Sequence, residues 1–166
     1  MGRWRPPQAK GSPYITAAGY EALQEELKGL WTRRADVVKA LSAAAAEGDR
    51  SENAEYIYRK KELAGIDRRI RYLQKRLPDL NIVRESPNPD KIFFGAWVSL
   101  LSDADEAVRY RIVGADEADK NPAYISIDSP LARALLKKSV DDAVELKVAG
   151  KVTCYEITCI EYANAD

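Results

Sequence analysis

The chain has no histidine among its 166 residues and only two cysteines. Without an imidazole, hydrolases that rely on a histidine base are excluded, and so is every metal site with a histidine ligand. Cys154 and Cys159 stand five apart in a segment that reads as a strand. Strict alternation puts them on opposite faces, so neither a zinc pair nor a local disulfide is expected. They read as the reduced pair of a cytosolic protein. No stretch approaches the ~20 apolar residues of a membrane span, and Met1-Gly2-Arg3-Trp4-Arg5-Pro6-Pro7 lacks the apolar run of a signal peptide. These absences point to a cytoplasmic protein with no membrane partner.

Net charge is also missing, with 26 basic and 26 acidic residues, but the balance is uneven along the chain. Residues 1–80 carry 16 Lys/Arg against 11 Asp/Glu, and residues 81–166 carry 10 against 15. The basic excess peaks between Arg59 and Arg76, where Arg59, Lys60, Lys61, Arg68, Arg69, Arg71, Lys75 and Arg76 meet only Glu62 and Asp67. A solvated helix normally mixes its signs, so this excess suggests a polyanion nearby; an ordinary solvated coiled-coil surface is the alternative. Lys61, Arg68, Arg71 and Lys75 recur at three, four or seven residues and so share one helix side.

Two long helices are predicted from the heptad spacing. Tyr20, Leu23, Leu27, Leu30, Arg34, Val37, Leu41 and Ala44 form one seam, interrupted only by Arg34. Glu52, Tyr56, Arg59, Leu63, Ile66, Ile70, Leu73, Leu77 and Leu80 repeat the spacing, with Pro78 discouraging further helix. The short connection forces the helices antiparallel, seam against seam, in a hairpin roughly 40 Å long.

At the turn stands Gly48-Asp49-Arg50-Ser51-Glu52-Asn53. Asp49-x-x-Glu52 fits a helix N-cap with an acid three residues on. The same two carboxylates, placed far from the chain's own core, also suit delivery into another molecule's active site.

The rest divides at Glu85-Ser86-Pro87-Asn88-Pro89-Asp90, whose two prolines cannot continue a helix. Short strands are predicted at 96–101, 108–113, 124–127, 144–148 and 152–160. One short helix is expected over 130–138, with Ser129 as cap and Pro130 at its first position. The fold class is thus α+β: an antiparallel helical hairpin, then an antiparallel-sheet domain with one short helix. The predicted bounds are 1–13 for a flexible basic tail, 14–84 for the hairpin with its acidic tip at 48–53, 85–91 for a linker, and 92–166 for the sheet domain.

The tip run, continued as Ala54-Glu55-Tyr56, resembles the signature of the bacterial Gre transcript-cleavage factors, and its Arg50-Ser51 filling resembles the GreB type. Tyr58-Arg59-Lys60-Lys61, the run Ile66 to Leu73, and Phe93-Phe94-Gly95-Ala96-Trp97-Val98 are similar to the same family, as is Tyr124 to Leu136. The resemblance spans about Tyr14 to Tyr162. One departure is Asp141-Asp142, where the family usually carries Gly-Asp; aspartate tolerates the left-handed turn that position requires.

The resemblance implies an FKBP-like second domain, without implying isomerase activity. It implies a factor that enters the secondary channel of RNA polymerase and stimulates the polymerase's own cleavage of backtracked RNA, rescuing arrested complexes. In that role the chain is no enzyme by itself. Asp49 and Glu52 would be the catalytic pair, holding Mg²⁺ jointly with the polymerase and none tightly alone. Arg50, Ser51 and Asn53 would support the tip, Lys60, Lys61, Arg68, Arg71 and Lys75 would hold the extruded RNA 3′ end, and Asp128, Ser129 and Pro130 would dock on the polymerase. The protein would act as a monomer. A non-cleaving regulator of the same channel and a scaffold or chaperone-like coiled coil are the alternatives.

Overall fold

The computed structural model of the protein describes residues 10–47, 53–84 and 88–162. Contacts divide the chain into two compact units, one of residues 20–80 and the other of the residues up to Gly19 and from Asn81.

The first unit is the hairpin. Helix α1 runs Ala17–Ala45 and helix α2 runs Ala54–Arg76. The predicted seam is the buried stripe: Leu23, Val37 and Ala44 of α1 and Ile66, Ile70 and Leu73 of α2 are each at most 5 % exposed. Leu27, Leu30 and Leu63 pack against Val37, Ile66 and Ile70. Burying each such side chain contributes about 1.5–3 kcal/mol. Polar ties flank the stripe. The Nε of Arg69 donates to Glu26 at 2.6 Å, Nη2 of Arg33 to Glu62 at 2.8 Å and Nε of Arg34 to Asp67 at 2.7 Å. Glu26 early in α1 meets Arg69 late in α2, whereas Arg33 and Arg34 further along α1 meet Glu62 and Asp67 earlier in α2, as antiparallel helices require. Arg34 therefore interrupts the apolar seam only by reaching a carboxylate across it. Helix α2 ends with Lys75 and Arg76 against its negative pole, and Pro78 stands in the following 3₁₀ turn Leu77–Asp79.

In the second unit, β1 (Tyr14–Ile15) pairs in parallel with β2 (Asn81–Ile82). Ile15 is fully buried, and by contacts this strand pair groups with the sheet unit. A five-stranded sheet follows in the order β5-β4-β3-β7-β6, from β3 (Ala96–Ser102), β4 (Ala107–Val113), β5 (Tyr124–Ser126), β6 (Ala143–Val148) and β7 (Lys151–Tyr162). The expectation of a purely antiparallel sheet is corrected at one edge, where β5 lies parallel to β4. The 3₁₀ turn Ala118–Lys120 lies within the connection that returns the chain to start β5 opposite Arg111. Strand β3 alternates strictly, burying Ala96, Val98, Leu100 and Ser102. Helix α3 (Pro130–Leu135) adds Ala132 and Leu135 to the core of Val98, Leu100, Ile112 and Ile157. It stops short of the expected Lys138 because Lys137 turns to φ 68° and its N–H donates to Ile92 O at 2.8 Å. Asp141 adopts φ 72°.

A bulge overturns the reading of the cysteines. Ser99 faces Cys159 while the next residue, Leu100, faces Ile157, so Thr158 is an extra residue in β7. Tyr155 packs on the core and Ser99 lies between two core residues of β3, so Cys154 and Cys159 both fall on the outer face. They remain free thiols, about 16 Å apart along the strand, beyond the reach of a disulfide.

The first turn of α1 is fixed by a buried carboxylate. Glu117, 3 % exposed, accepts from Thr16 N at 3.0 Å, Thr16 Oγ1 at 2.6 Å and Gly114 N at 2.9 Å. Thr16 Oγ1 in turn accepts from Gly19 N at 3.0 Å, as an N-cap does. A Cβ on Gly19 would stand 1.8 Å from Glu117 Oε2, whereas one on Gly29 in mid-helix would meet nothing within 4 Å. The two glycines should therefore answer substitution by alanine with opposite signs. In thermal or denaturant unfolding, Gly19→Ala is expected to destabilise by about 1–3 kcal/mol and Gly29→Ala to stabilise by about 0.5–1 kcal/mol. Two changes of the same sign would remove the crowding argument.

Candidate functional site

The hairpin end is built around Asn53. The α1 backbone closes with Glu47 N donating to Ala44 O at 3.3 Å. Asn53 is the N-cap of α2, with φ −83° and ψ 100°, and its Oδ1 accepts from Tyr56 N at 3.1 Å. Its Nδ2 donates to Ala44 O at 2.8 Å, a second donor to the last-turn carbonyl that Glu47 N already reaches. One side chain thus serves both helix ends. Asp49, Arg50, Ser51 and Glu52 lie outside the described residues. Among the described residues, Asn53 fills the cap position and α2 begins at Ala54.

The basic face is exposed at every predicted position: Lys60, Lys61, Arg68, Arg71 and Lys75. Both acids of the Arg59–Arg76 stretch are already engaged. Glu62 accepts from Arg33 and Arg59, and Asp67 accepts from Arg34. The Arg33 hydrogen bond foremost, joined by that from Arg59, holds the Glu62 carboxyl below its ordinary range. The hydrogen bonds that Arg59 donates to Glu55 and then to Glu62 raise its guanidinium. Arg59 is therefore held by two carboxylates and is not simply reaching solvent from the seam edge. Arg33 and Arg34 of α1 neutralise Glu62 and Asp67 of α2, and Lys60, Lys61, Arg68 and Lys75 keep their charge with no carboxylate partner among the described residues.

In the second unit, the carboxylate of Asp128 accepts from Ser12 N at 2.8 Å and from the Ser12 hydroxyl. Ser12, read as part of a flexible tail, is thereby held to the sheet unit. Ser129 Oγ accepts from Ala132 N at 3.2 Å and caps α3, with Pro130 next and exposed. The polar atoms of the predicted docking triplet thus already serve the fold, leaving the Pro130 ring as its outward element. Nearby in sequence, Ile127 and Leu136 line an apolar pocket of about 320 Å³ with Tyr14, Val83, Phe93 and Phe94. The sequence reading missed this pocket, whose lining comes from five separate places in the chain.

Comparison with known proteins places the chain. A family model described as "Transcription elongation factor, N-terminal" matches residues 13–82. A second, "Transcription elongation factor, GreA/GreB, C-term", matches residues 86–162. The protein belongs to the GreA/GreB family of transcription elongation factors, so its working partner is RNA polymerase. The transcription elongation factor GreB of Xanthomonas axonopodis pv. citri is 55 % identical over 168 residues, covering 99 % of both chains. GreB of Pseudomonas aeruginosa is 50 % identical, again over 99 % of each. Among solved structures, GreA factor homolog 1 of Thermus thermophilus is 27 % identical with a TM-score of 0.41, covering 89 % of this chain and 97 % of that one. No described helix is long and apolar enough to cross a membrane.

Asn53 can be tested in two steps. Asn53→Ala should lower hairpin stability by about 1 kcal/mol, the usual loss on removing an N-cap. Asn53→Asp keeps the acceptor for Tyr56 N but loses the donor to Ala44 O, so it should recover part of that loss. Full recovery in chemical unfolding would show that the bond to Ala44 contributes nothing.

Proposed function

We propose that the hairpin enters the secondary channel of bacterial RNA polymerase and stimulates the polymerase's intrinsic cleavage of backtracked RNA, releasing arrested complexes. The observation that carries this is Asn53. Because it caps α2 and ties the cap to Ala44, the neighbouring acids are not needed to start the helix. Capping was the strongest structural explanation for them, and the scaffold reading depended on it.

Asp49 and Glu52 supply hard, ionised oxygens, the donor chemistry that suits Mg²⁺. They would hold the ion jointly with the polymerase, where it would serve as a Lewis acid and lower the pKa of a bound water. Two side chains bind such an ion weakly by themselves, so the factor can leave without sequestering it. Arg50 is placed in sequence to meet a phosphate and Ser51 to orient the acids. Lys60, Lys61, Arg68, Arg71 and Lys75 attract the extruded RNA 3′ end by sequence-independent charge. The chain acts as a monomer, contributes acids in trans and has no nuclease activity alone. Docking falls to the sheet unit, around Pro130.

Asp49→Asn or Glu52→Gln should lower cleavage in a stalled elongation complex by about a hundredfold or more, the scale of several kcal/mol of charge stabilisation. Polymerase binding should stay nearly unchanged. Parallel loss of binding and cleavage would refute this division of labour. A non-cleaving regulator of the channel would instead show wild-type behaviour for both variants.

Reversing the charges of Lys61, Arg68, Arg71 and Lys75 should weaken stimulation on deeply backtracked complexes more than on shallow ones. Only a long extruded RNA reaches along the helix, and raised salt should mimic the substitutions. Equal losses on both complexes would assign this face to polymerase contact.

A further inference from the structure

We propose that Tyr72 is a base-stacking contact for single-stranded RNA on the outer face of α2. The inference rests on the reading that this face meets extruded RNA, and adds to its charges a group that recognises bases. Tyr72 lies opposite the seam, one turn after Arg68 and one turn before Lys75. The three are neighbours on the helix surface and span about 10 Å of its axis.

Tyr72 is 44 % exposed, yet it is held in place. The guanidinium of Arg69 stands over its ring at 5.4 Å from the centroid. Arg69 is itself fixed by two bonds to one carboxylate, Nε to Glu26 Oε1 at 2.6 Å and Nη2 to Oε2 at 3.0 Å. A tie thus runs from α1 through Arg69 to the ring. Setting an exposed aromatic in one orientation does little for a helix surface but lowers the ordering cost of a ligand that uses the ring. Cations that track a backbone, with an aromatic face set among them, form the combination that sequence-tolerant single-strand sites use. An acidic peptide would engage the cations and leave the ring idle.

The test titrates the full-length protein with a short oligoadenylate and with an abasic ribose-phosphate oligomer of the same length and charge. Tyr72→Ala is expected to weaken oligoadenylate binding about fivefold or more without altering its salt dependence. Tyr72→Phe should bind as the wild type does. The abasic oligomer should bind the wild type and Tyr72→Ala alike. Arg68→Ala and Lys75→Ala should each reduce the slope of log affinity against log salt by about 0.7. If Tyr72→Ala binds oligoadenylate normally, or the wild type binds both oligomers equally, while the Arg68 and Lys75 variants lose slope, stacking is wrong and the charged face stands. If no substitution and no base removal changes binding, the charged-face reading falls with it.

Discussion

A two-helix arm has only one interface in which to bury anything, and this constraint shapes what the hairpin presents. Leu23, Val37, Ile66, Ile70 and Leu73 fill that interface, and there is no second layer to rescue a misplaced side chain. The flanking pairs Glu26–Arg69, Arg33–Glu62 and Arg34–Asp67 add less energy than the buried stripe, as partly exposed pairs do. Their larger effect is on charge distribution. Arg33 and Arg34 of α1 take up Glu62 and Asp67 of α2, which leaves Lys60, Lys61, Arg68 and Lys75 with no carboxylate partner among the described residues. Stability and electrostatic display are two results of one pairing pattern.

The two ends of α1 are held in different ways, each suited to its surroundings. At the beginning, Glu117 is buried, so its carboxylate is satisfied by two backbone N–H groups and a hydroxyl, and Gly19 is required because no side chain fits beside it. At the other end the surroundings are solvent, and a neutral amide suffices: Asn53 donates to one helix and accepts from the other. A neutral clamp adds no charge of its own to the adjoining tip.

The sequence made some of this legible and hid the rest for physical reasons. The seam was readable because burial along one stripe leaves a 3.5-residue period, and the cap of α3 was readable because Ser129-Pro130 is a local signal. Asn53 was overlooked as a cap because Asp49 and Glu52 offered an equally plausible pattern earlier in the turn. Glu117 and Thr16 are 101 residues apart, a pairing that no local pattern announces. Alternation misplaced the cysteines because one extra residue, Thr158, inverts every face after it. The parallel edge strand was missed because β5 is three residues long, too short to carry a direction in its composition. For the acidic tip, local chemistry left capping and delivery both open; the family resemblance favoured delivery, and the position of Asn53 then removed the need for an acidic cap.

The arrangement also bears on why such acids would sit on a separate protein. A carboxylate pair fixed in a buried site would be fully satisfied by hydrogen bonds, as Glu117 is, and its metal affinity would be spent on structure. At the end of a hairpin whose cap is already filled by an amide, carboxylates not needed for capping would, on the proposed reading, keep their capacity for hard cations. On the proposed reading weak affinity would be an advantage: with only two carboxylates offered by the tip, binding would require the remaining ligands from a partner. On the proposed mechanism, selectivity for the backtracked state would follow from that incompleteness, since the set of ligands would exist only where the partner's metal, the RNA phosphate and the tip coincide.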